Sequence, residues 1–390
     1  MSALVRRVFR IDDVTTGTDK QPFIVRYRGR LTMEDSQAAY RQLSDALKPY
    51  GLTPLFRWEG DQHVIFLAPG IPKPTSANPY VNLLLFVLTL LSVLFTGAIY
   101  GLEGPIPADT GEAIRLMLSR GWPFAVSMLG ILGAHEFGHY LAGRYHGVHV
   151  TLPYFIPMPF SPFGTMGAFI NMKEPPPNRR VLADIGIAGP LAGFVVAVPV
   201  LLIGLSLSNL DSLPSIGAAA AAGISLEGNS LVYLLSKLVV FGQMLPAPVD
   251  YDGVAPVIYW LRFILTARPF PAGGLDVMLH PVAWAGWAGL LVTGLNLIPA
   301  GQLDGGHILY VLFGRRTAQR VLPFVLVGLV ALGFVWSVWW FWALIIFFLG
   351  RVHAEPLNAI TPLDNRRKIL AIAALVLFVL TFTPVPLSLY

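Results

Sequence analysis

His135, Glu136 and His139 stand within five positions of an otherwise apolar run, LGAHEFGHYLAG (132–143). Ionisable groups inside a bilayer are costly, so their presence in such a run points to function. On a helix, positions i and i+4 share one face, and two imidazoles placed there can bind one metal ion. Glu136, beside the first ligand, can then take a proton from water held at the metal. The bland alternative is a pair of helix-packing histidines with a salt-bridged glutamate. Two histidines do not complete a catalytic zinc site, which takes three protein ligands and an open position. His146 and His149 follow, but beyond the expected helix end, where they should face headgroups. The other candidate is Asp304 in NLIPAGQLDGGH (296–307), whose carboxylate can serve as third ligand. Taken alone, Asp304 reads as a cap or turn residue of LDGG. His307 reads as helix N-terminal polarity or as support for a ligand.

The elements that must hold these residues are mostly membrane segments. The chain has 390 residues, 55% hydrophobic and only 13% charged, with a mean hydropathy of +0.63. Soluble domains carry roughly 25% charged residues. An α-helical polytopic membrane protein is therefore expected, with about 6–8 membrane segments. The net charge of +5 needs no nucleic acid and suits anionic headgroups. There is no cysteine, which excludes disulfides, a thiol nucleophile and thiolate metal ligands. The first long apolar run begins near residue 80, and neither a signal peptide nor an organelle transit peptide is expected.

Residues 1–73 read as a small soluble α+β domain. It has a strand over 23–31, a helix over 33–51 capped by Thr32 or Asp35, and two strands over 55–70 around a Gly60-Asp61 turn. Its core is small enough that docking on the membrane part is expected. Residues 74–79 read as a linker, and 80–390 as the membrane domain. Spans are expected at 80–102, 123–145 and 181–207, then at 282–298, broken at Pro299, and at 368–387. Residues 321–349 are long for one upright helix, and a tight pair of short helices is expected. Residues 230–245 carry Lys237 and should lie in the interface or re-enter. The Pro- and Gly-rich segment 148–180 cannot be a continuous helix and reads as a re-entrant loop with a short hairpin at GTMGAFINM. Arginine and lysine cluster after span two, at 315–320 and at 366–368. The positive-inside rule then puts these loops and the N-terminal domain in the cytoplasm, at the bacterial cytoplasmic membrane.

HEFGH, NLIPAGQLDGG, and GTMGAFI and AGPLAG between them resemble the site-2 proteases, which are intramembrane zinc metalloproteases. The resemblance covers about 120–315, and the two metal motifs together are highly specific. The small N-terminal domain and PYFIPMPFSPFGTMGAFI look most like the chloroplast and cyanobacterial subgroup, without a PDZ domain. The resemblance implies one Zn2+ held by His135, His139 and Asp304, with Glu136 as catalytic base. It implies a membrane-protein substrate presented as a transmembrane segment. Asn296 becomes a candidate to bind substrate backbone or the oxyanion, or else stabilises the Pro299 break. Gly164, Thr165, Met166 and Gly167 resemble the family's membrane-embedded strand, whose edge can pair with an unfolded substrate; a purely structural plug is the other reading.

Three rivals remain. A transporter with a metal site would fit broken helices, but no internal repeat is visible. An inactive relative that binds membrane proteins is disfavoured by the complete ligand set. A zinc hydrolase for lipids is disfavoured by the strand edge. His63, His280 and His353 read as strand or loop residues, and Trp336, Trp339, Trp340 and Trp342 as an interface belt or helix packing.

Overall fold

The computed structural model describes the chain except residues 19, 71–77, 103–107, 223–224, 252, 351–354 and 390. Most of the expected 74–79 linker and His353 lie outside the described residues.

The chain opens with a short helix, α1 (Ser2–Val5), and then β1 (Phe9–Thr16), β2 (Val25–Leu31), α2 (Ser36–Leu47), β3 (Leu52–Glu59) and β4 (Gln62–Pro69). The four strands form one antiparallel sheet in the order β1-β2-β4-β3. Asp35 is the cap of α2, its carboxylate accepting from the Gln37 amide at 2.8 Å. β3 and β4 turn at Gly60, whose φ of 63° suits a residue without Cβ. β1 was not expected. It is an edge strand buried only at Phe9, with a bulge between Ile11 and Asp13, so its alternation is erased by solvent-facing acids.

The core of this sheet is completed from far along the chain. Ile360 packs among Phe9, Leu43, Phe56 and Ile65. The Phe56 amide donates to the Leu357 carbonyl at 2.9 Å, and the Ala359 amide donates back to Phe56 at 3.0 Å. Buried Asn358 donates to the Ser36 carbonyl at 2.9 Å and accepts from the Ile360 amide at 3.2 Å. Arg57 pairs with Glu355 at 2.7 Å. The expected docking is thus a backbone-paired seam rather than a loose contact.

The apolar part begins with α3 (Pro79–Tyr100) and α4 (Thr110–Tyr145). The span expected from Pro123 starts earlier, because Asp109 caps a helix of 36 residues that carries Pro123 internally. One proline removes one helical hydrogen bond, and the turns on either side continue the ladder. Next come β5 (Tyr154–Pro157) and β6 (Thr165–Phe169), an antiparallel ribbon within the expected re-entrant segment. Helix α3 carries this ribbon: Asn82 donates to the Leu152 and Pro153 carbonyls at 2.8 and 3.0 Å, and Ser92 to Gly164 at 2.6 Å.

The chain continues through α5 (Arg179–Ser206), β7 (Asn209–Ser212), α6 (Ile216–Ala222), β8 (Ser225–Glu227), α7 (Leu231–Phe241), α8 (Pro256–Thr266), β9 (Leu275–Met278) and α9 (Pro281–Asn296). Then follow α10 (Asp304–Gly333), α11 (Val338–Leu349), α12 (Asn365–Thr381) and β10 (Leu387–Leu389). Strands β7–β9 and β8–β10 form two small pairs. Lys237 in α7, expected at an interface, is 0% exposed and lies 4.0 Å from Glu227. The expected last span through 387 ends at Thr381; Pro384 and Pro386 forbid further helix, and β10 follows from Leu387. Residues 321–349 do divide, into the end of α10 and α11; Trp339 is buried and its indole donates to the Pro384 carbonyl, while Trp340 is exposed.

Helices α3, α4, α5 and α10 are long and apolar enough to cross a membrane. Gly314, at φ 80°, interrupts α10. Helix α5 lies at the centre, packed against α4, α9, α10 and α12.

Replacing Asn358 by alanine would leave the Ile360 amide buried without a partner and remove the bond to the Ser36 carbonyl, at about 1–3 kcal/mol. Faster hydrogen exchange at the Phe56 and Ala359 amides is the expected outcome. Unchanged protection at both would show that the seam does not depend on this side chain.

Candidate metal centre

His135, Glu136 and His139 lie on α4 with 3%, 4% and 6% exposure. Asp304 opens α10, brought there by the Pro299 break and a tight turn through Gly301, at φ 58°. A Cβ on Gly305 would stand 2.0 Å from the Leu297 carbonyl oxygen, so the LDGG turn closes only with glycine there.

Three donor atoms converge. His135 Nε2 is 3.2 Å from Asp304 Oδ2 and 3.2 Å from His139 Nε2. His139 Nε2 is 3.3 Å from Asp304 Oδ1. Donors held tetrahedrally at ~2.0–2.1 Å from zinc stand about 3.3 Å apart. The two imidazole nitrogens stand at that spacing and each meets one oxygen of Asp304 at it, with one ligand atom from each residue lying within 4.8 Å of the others, so the group fits the ion. His139 Nδ1 lies 2.7 Å from the Ile185 carbonyl. A carbonyl only accepts, so Nδ1 carries the proton, and a neutral ring presents its Nε2 lone pair to the metal. Charge argues the same way. Two ionised carboxylates, Asp304 and Glu136, beside two neutral imidazoles would leave a double negative charge in a buried place; a divalent cation balances it.

The backbone amide of Ile170, just past β6, faces the Glu136 carboxylate. A cavity of about 220 Å3 joins Glu136 and the three donors to Ile170, Asn296, Gln302 and His307. Asn296 ends α9 and its amide nitrogen is 3.3 Å from His135 Nε2. Gly164 and Thr165 turn elsewhere, Gly164 against α3 and the Thr165 hydroxyl to the Ile156 carbonyl at 2.8 Å. Neither they nor Met166 and Gly167 line the cavity; Ala168, Phe169 and Ile170 do. The continuation of GTMGAFI toward the site was the signal for those three, whereas nothing in the sequence marked Gln302. His146 pairs with Asp184 at 2.8 Å and His149 with Glu174 at 2.7 Å, so both are held by acids away from the metal donors.

The small residues of AGPLAG have a specific task. A Cβ on Gly189 would stand 2.0 Å from His139 Nε2, and one on Gly193 would stand 3.1 Å from His135 Nδ1. Helix α5 can therefore press against both imidazoles only because those two positions lack side chains.

The chain from 123 to 339 matches the model of peptidase family M50, more than half of its length. The chain belongs to peptidase family M50. It is 32% identical over 321 residues to "Probable zinc metalloprotease EGY2, chloroplastic" of Arabidopsis thaliana, covering 81% of this chain and 51% of the relative. It is 29% identical over 331 residues to "Probable zinc metalloprotease EGY1, chloroplastic" of the same plant, covering 80% and 55%. It is 33% identical over 331 residues to the EGY1 protein of Oryza sativa subsp. japonica, covering 80% and 52%. The chain thus spans about half the length of the curated relatives it matches. Membership in M50 and the long apolar helices make it an integral membrane protein.

In Gly189→Ala the new methyl group must displace His139, and zinc binding should weaken at least ~10-fold. Gly130→Ala, on the helix α4 that carries the histidines but with open space around it, should bind zinc normally. Metal analysis of both purified variants decides; equal zinc content would contradict the packing role.

Proposed function

We propose that this chain is an intramembrane zinc metalloprotease, hydrolysing peptide bonds in or near transmembrane segments of other membrane proteins. The observation that carries the proposal is the convergence of His135, His139 and Asp304, with one ligand atom from each within 4.8 Å of the others, beside buried Glu136 and between apolar helices. When bound, the zinc ion supplies Lewis acidity to the scissile carbonyl and to water. Glu136 accepts the water proton and delivers it to the leaving amine. The Ile170 amide holds the Glu136 carboxylate toward the cavity. Asn296, with its amide beside His135, donates to the substrate carbonyl as charge develops there.

A peptide bond within a helix is shielded by its neighbours, so the substrate must be unwound before attack. β6 supports a route: β5 covers one of its edges, and no described strand pairs with the other. Its last residues and Ile170 border the cavity beside Glu136. A substrate strand added there would bring its backbone to the metal. The substrate-pairing register is then 168–170, with Gly164–Gly167 holding the ribbon to α3.

In this reading residues 1–73 form a soluble domain, 74–79 a linker and 80–390 the membrane domain, with the protease core at 120–315. Four long helices together with the shorter α7, α9, α11 and α12 supply about 6–8 membrane segments. Arg315, of the positive cluster at 315–320, shares Glu355 with Arg57 of the N-terminal sheet, so that cluster and the sheet lie on one face. That face is cytoplasmic by the positive-inside rule. A bacterial cytoplasmic membrane is the proposed location, although the named relatives are chloroplastic.

Two experiments test the reading. Glu136→Gln should keep zinc and lose cleavage of single-span substrates by roughly 10²–10⁴-fold, whereas His139→Ala should lose both; near-normal cleavage by Glu136→Gln would contradict the mechanism. Ala168→Pro should keep zinc but lose cleavage of helical substrates, because proline cannot donate along a strand edge. Unchanged cleavage would remove β6 from substrate binding.

A further inference from the structure

A second cavity, of about 760 Å3, lies between the N-terminal sheet and the membrane helices, on the side of α10 where Gly314 interrupts it. Its charged lining is lopsided. Arg57, Arg179, Arg315 and Arg316 face Glu59 and Glu355. Glu355 is committed to Arg57 at 2.7 Å and Arg315 at 2.9 Å. Glu59 is committed to Arg28 at 3.1 Å and Arg26 at 3.6 Å. Two guanidiniums are left over. Arg179 spends one nitrogen on the Val311 carbonyl, while its Nε is buried without a hydrogen-bond partner. Arg316 has no acid within ion-pair distance among the described residues. A buried guanidinium edge without an acceptor is costly; Arg179 presents one, and the exposed Arg316, free of any acid among the described residues, stands beside it in the same lining, so the two describe an anion site. The planar donor fork of arginine suits phosphate.

The surroundings select the kind of anion. Trp58 and Phe313 line the same cavity and are 52% and 56% exposed. Beyond Arg316, α10 runs on as an apolar helix with Phe324 and Val327 exposed at 77% and 69%. In an integral membrane protein such a surface faces acyl chains. Cationic side chains with aromatic neighbours, opening onto an acyl-facing helix, match an acidic lipid at the membrane surface. We propose that this cavity binds the phosphate headgroup of an acidic membrane lipid, with Arg179 and Arg316 on the phosphate and the acyl chains along α10. The lipid would brace the seam where the N-terminal sheet, the start of α5 and the first half of α10 meet. α5 packs against the histidines and α10 opens with Asp304, so occupancy would also steady the elements that build the metal centre.

The test uses the full chain purified in a neutral detergent. Thermal unfolding is followed with micelles doped with dioleoyl phosphatidylglycerol, with dioleoyl phosphatidylcholine, or with soluble glycerol phosphate at the same concentration. Native mass spectrometry counts retained phosphatidylglycerol. The expected result is a midpoint raised by about 3 °C by phosphatidylglycerol alone, with one retained lipid. Arg316→Gln and Arg179→Gln should lose both, and Arg320→Gln, an exposed arginine of the same face outside the cavity lining, should keep both. If Arg179→Gln does not fold, Arg316→Gln decides alone. Equal shifts in wild type and Arg316→Gln, or no shift in wild type, would overturn the site. An equal effect of glycerol phosphate would overturn the lipid assignment in favour of a soluble phosphate ligand.

Discussion

Two imidazoles of α4 and, from far along the chain, the Asp304 carboxylate converge among apolar helices, the imidazoles 3.2 Å apart and each 3.2–3.3 Å from one oxygen of Asp304, and much of the surrounding structure serves that closeness. Without a cation, two carboxylates would share a buried pocket. With one, the charges cancel and the imidazole lone pairs have a common target. The fold must then let α4, α5 and the start of α10 meet at one point. It does so by removing bulk where they touch: Gly189 and Gly193 against the histidines, and Gly305 under the Leu297 carbonyl.

The same demand accounts for the irregular backbone. Asp304 reaches the histidines because α9 stops at Asn296 and the chain turns at Pro299 and Gly301 before α10 begins. The β5–β6 ribbon lies at the site only because α3 satisfies its carbonyls through Asn82 and Ser92. Non-helical backbone next to apolar helices is stable where protein or a polar cavity supplies its hydrogen bonds, and here both do. On the face with the N-terminal sheet, residues 355–360 join β3 to the loop before α5, so the sheet is held to the helix that packs against the metal centre.

The cluster of His135, His139 and Asp304 with Glu136 was legible because its chemistry is out of place. Histidine, glutamate and aspartate inside apolar runs have few bland explanations, and i, i+4 spacing is geometrically decisive. The long helices were legible from apolar length, and the ribbon from its prolines and glycines. What stayed hidden depends on tertiary partners. β1 is an edge strand with acids on its open face, and its period shows only once β2 is beside it. Lys237 reads as an interfacial residue until β8 supplies Glu227. The early start of α4 was masked by Pro123, whose local penalty is outweighed by a long capped helix. Which residues of β6 border the cavity was not legible either, because Gly164, which marked the strand, packs on α3, while Ala168, Phe169 and Ile170 line the cavity beside Glu136.

X-ray absorption at the zinc edge, on the purified chain with one equivalent of metal, tests the central claim most directly. The account predicts a four-coordinate zinc with two imidazole nitrogens and oxygen donors at about 2.0–2.1 Å, and a changed oxygen shell in Asp304→Asn. A spectrum without two imidazoles, or one unaltered by Asp304→Asn, would contradict it.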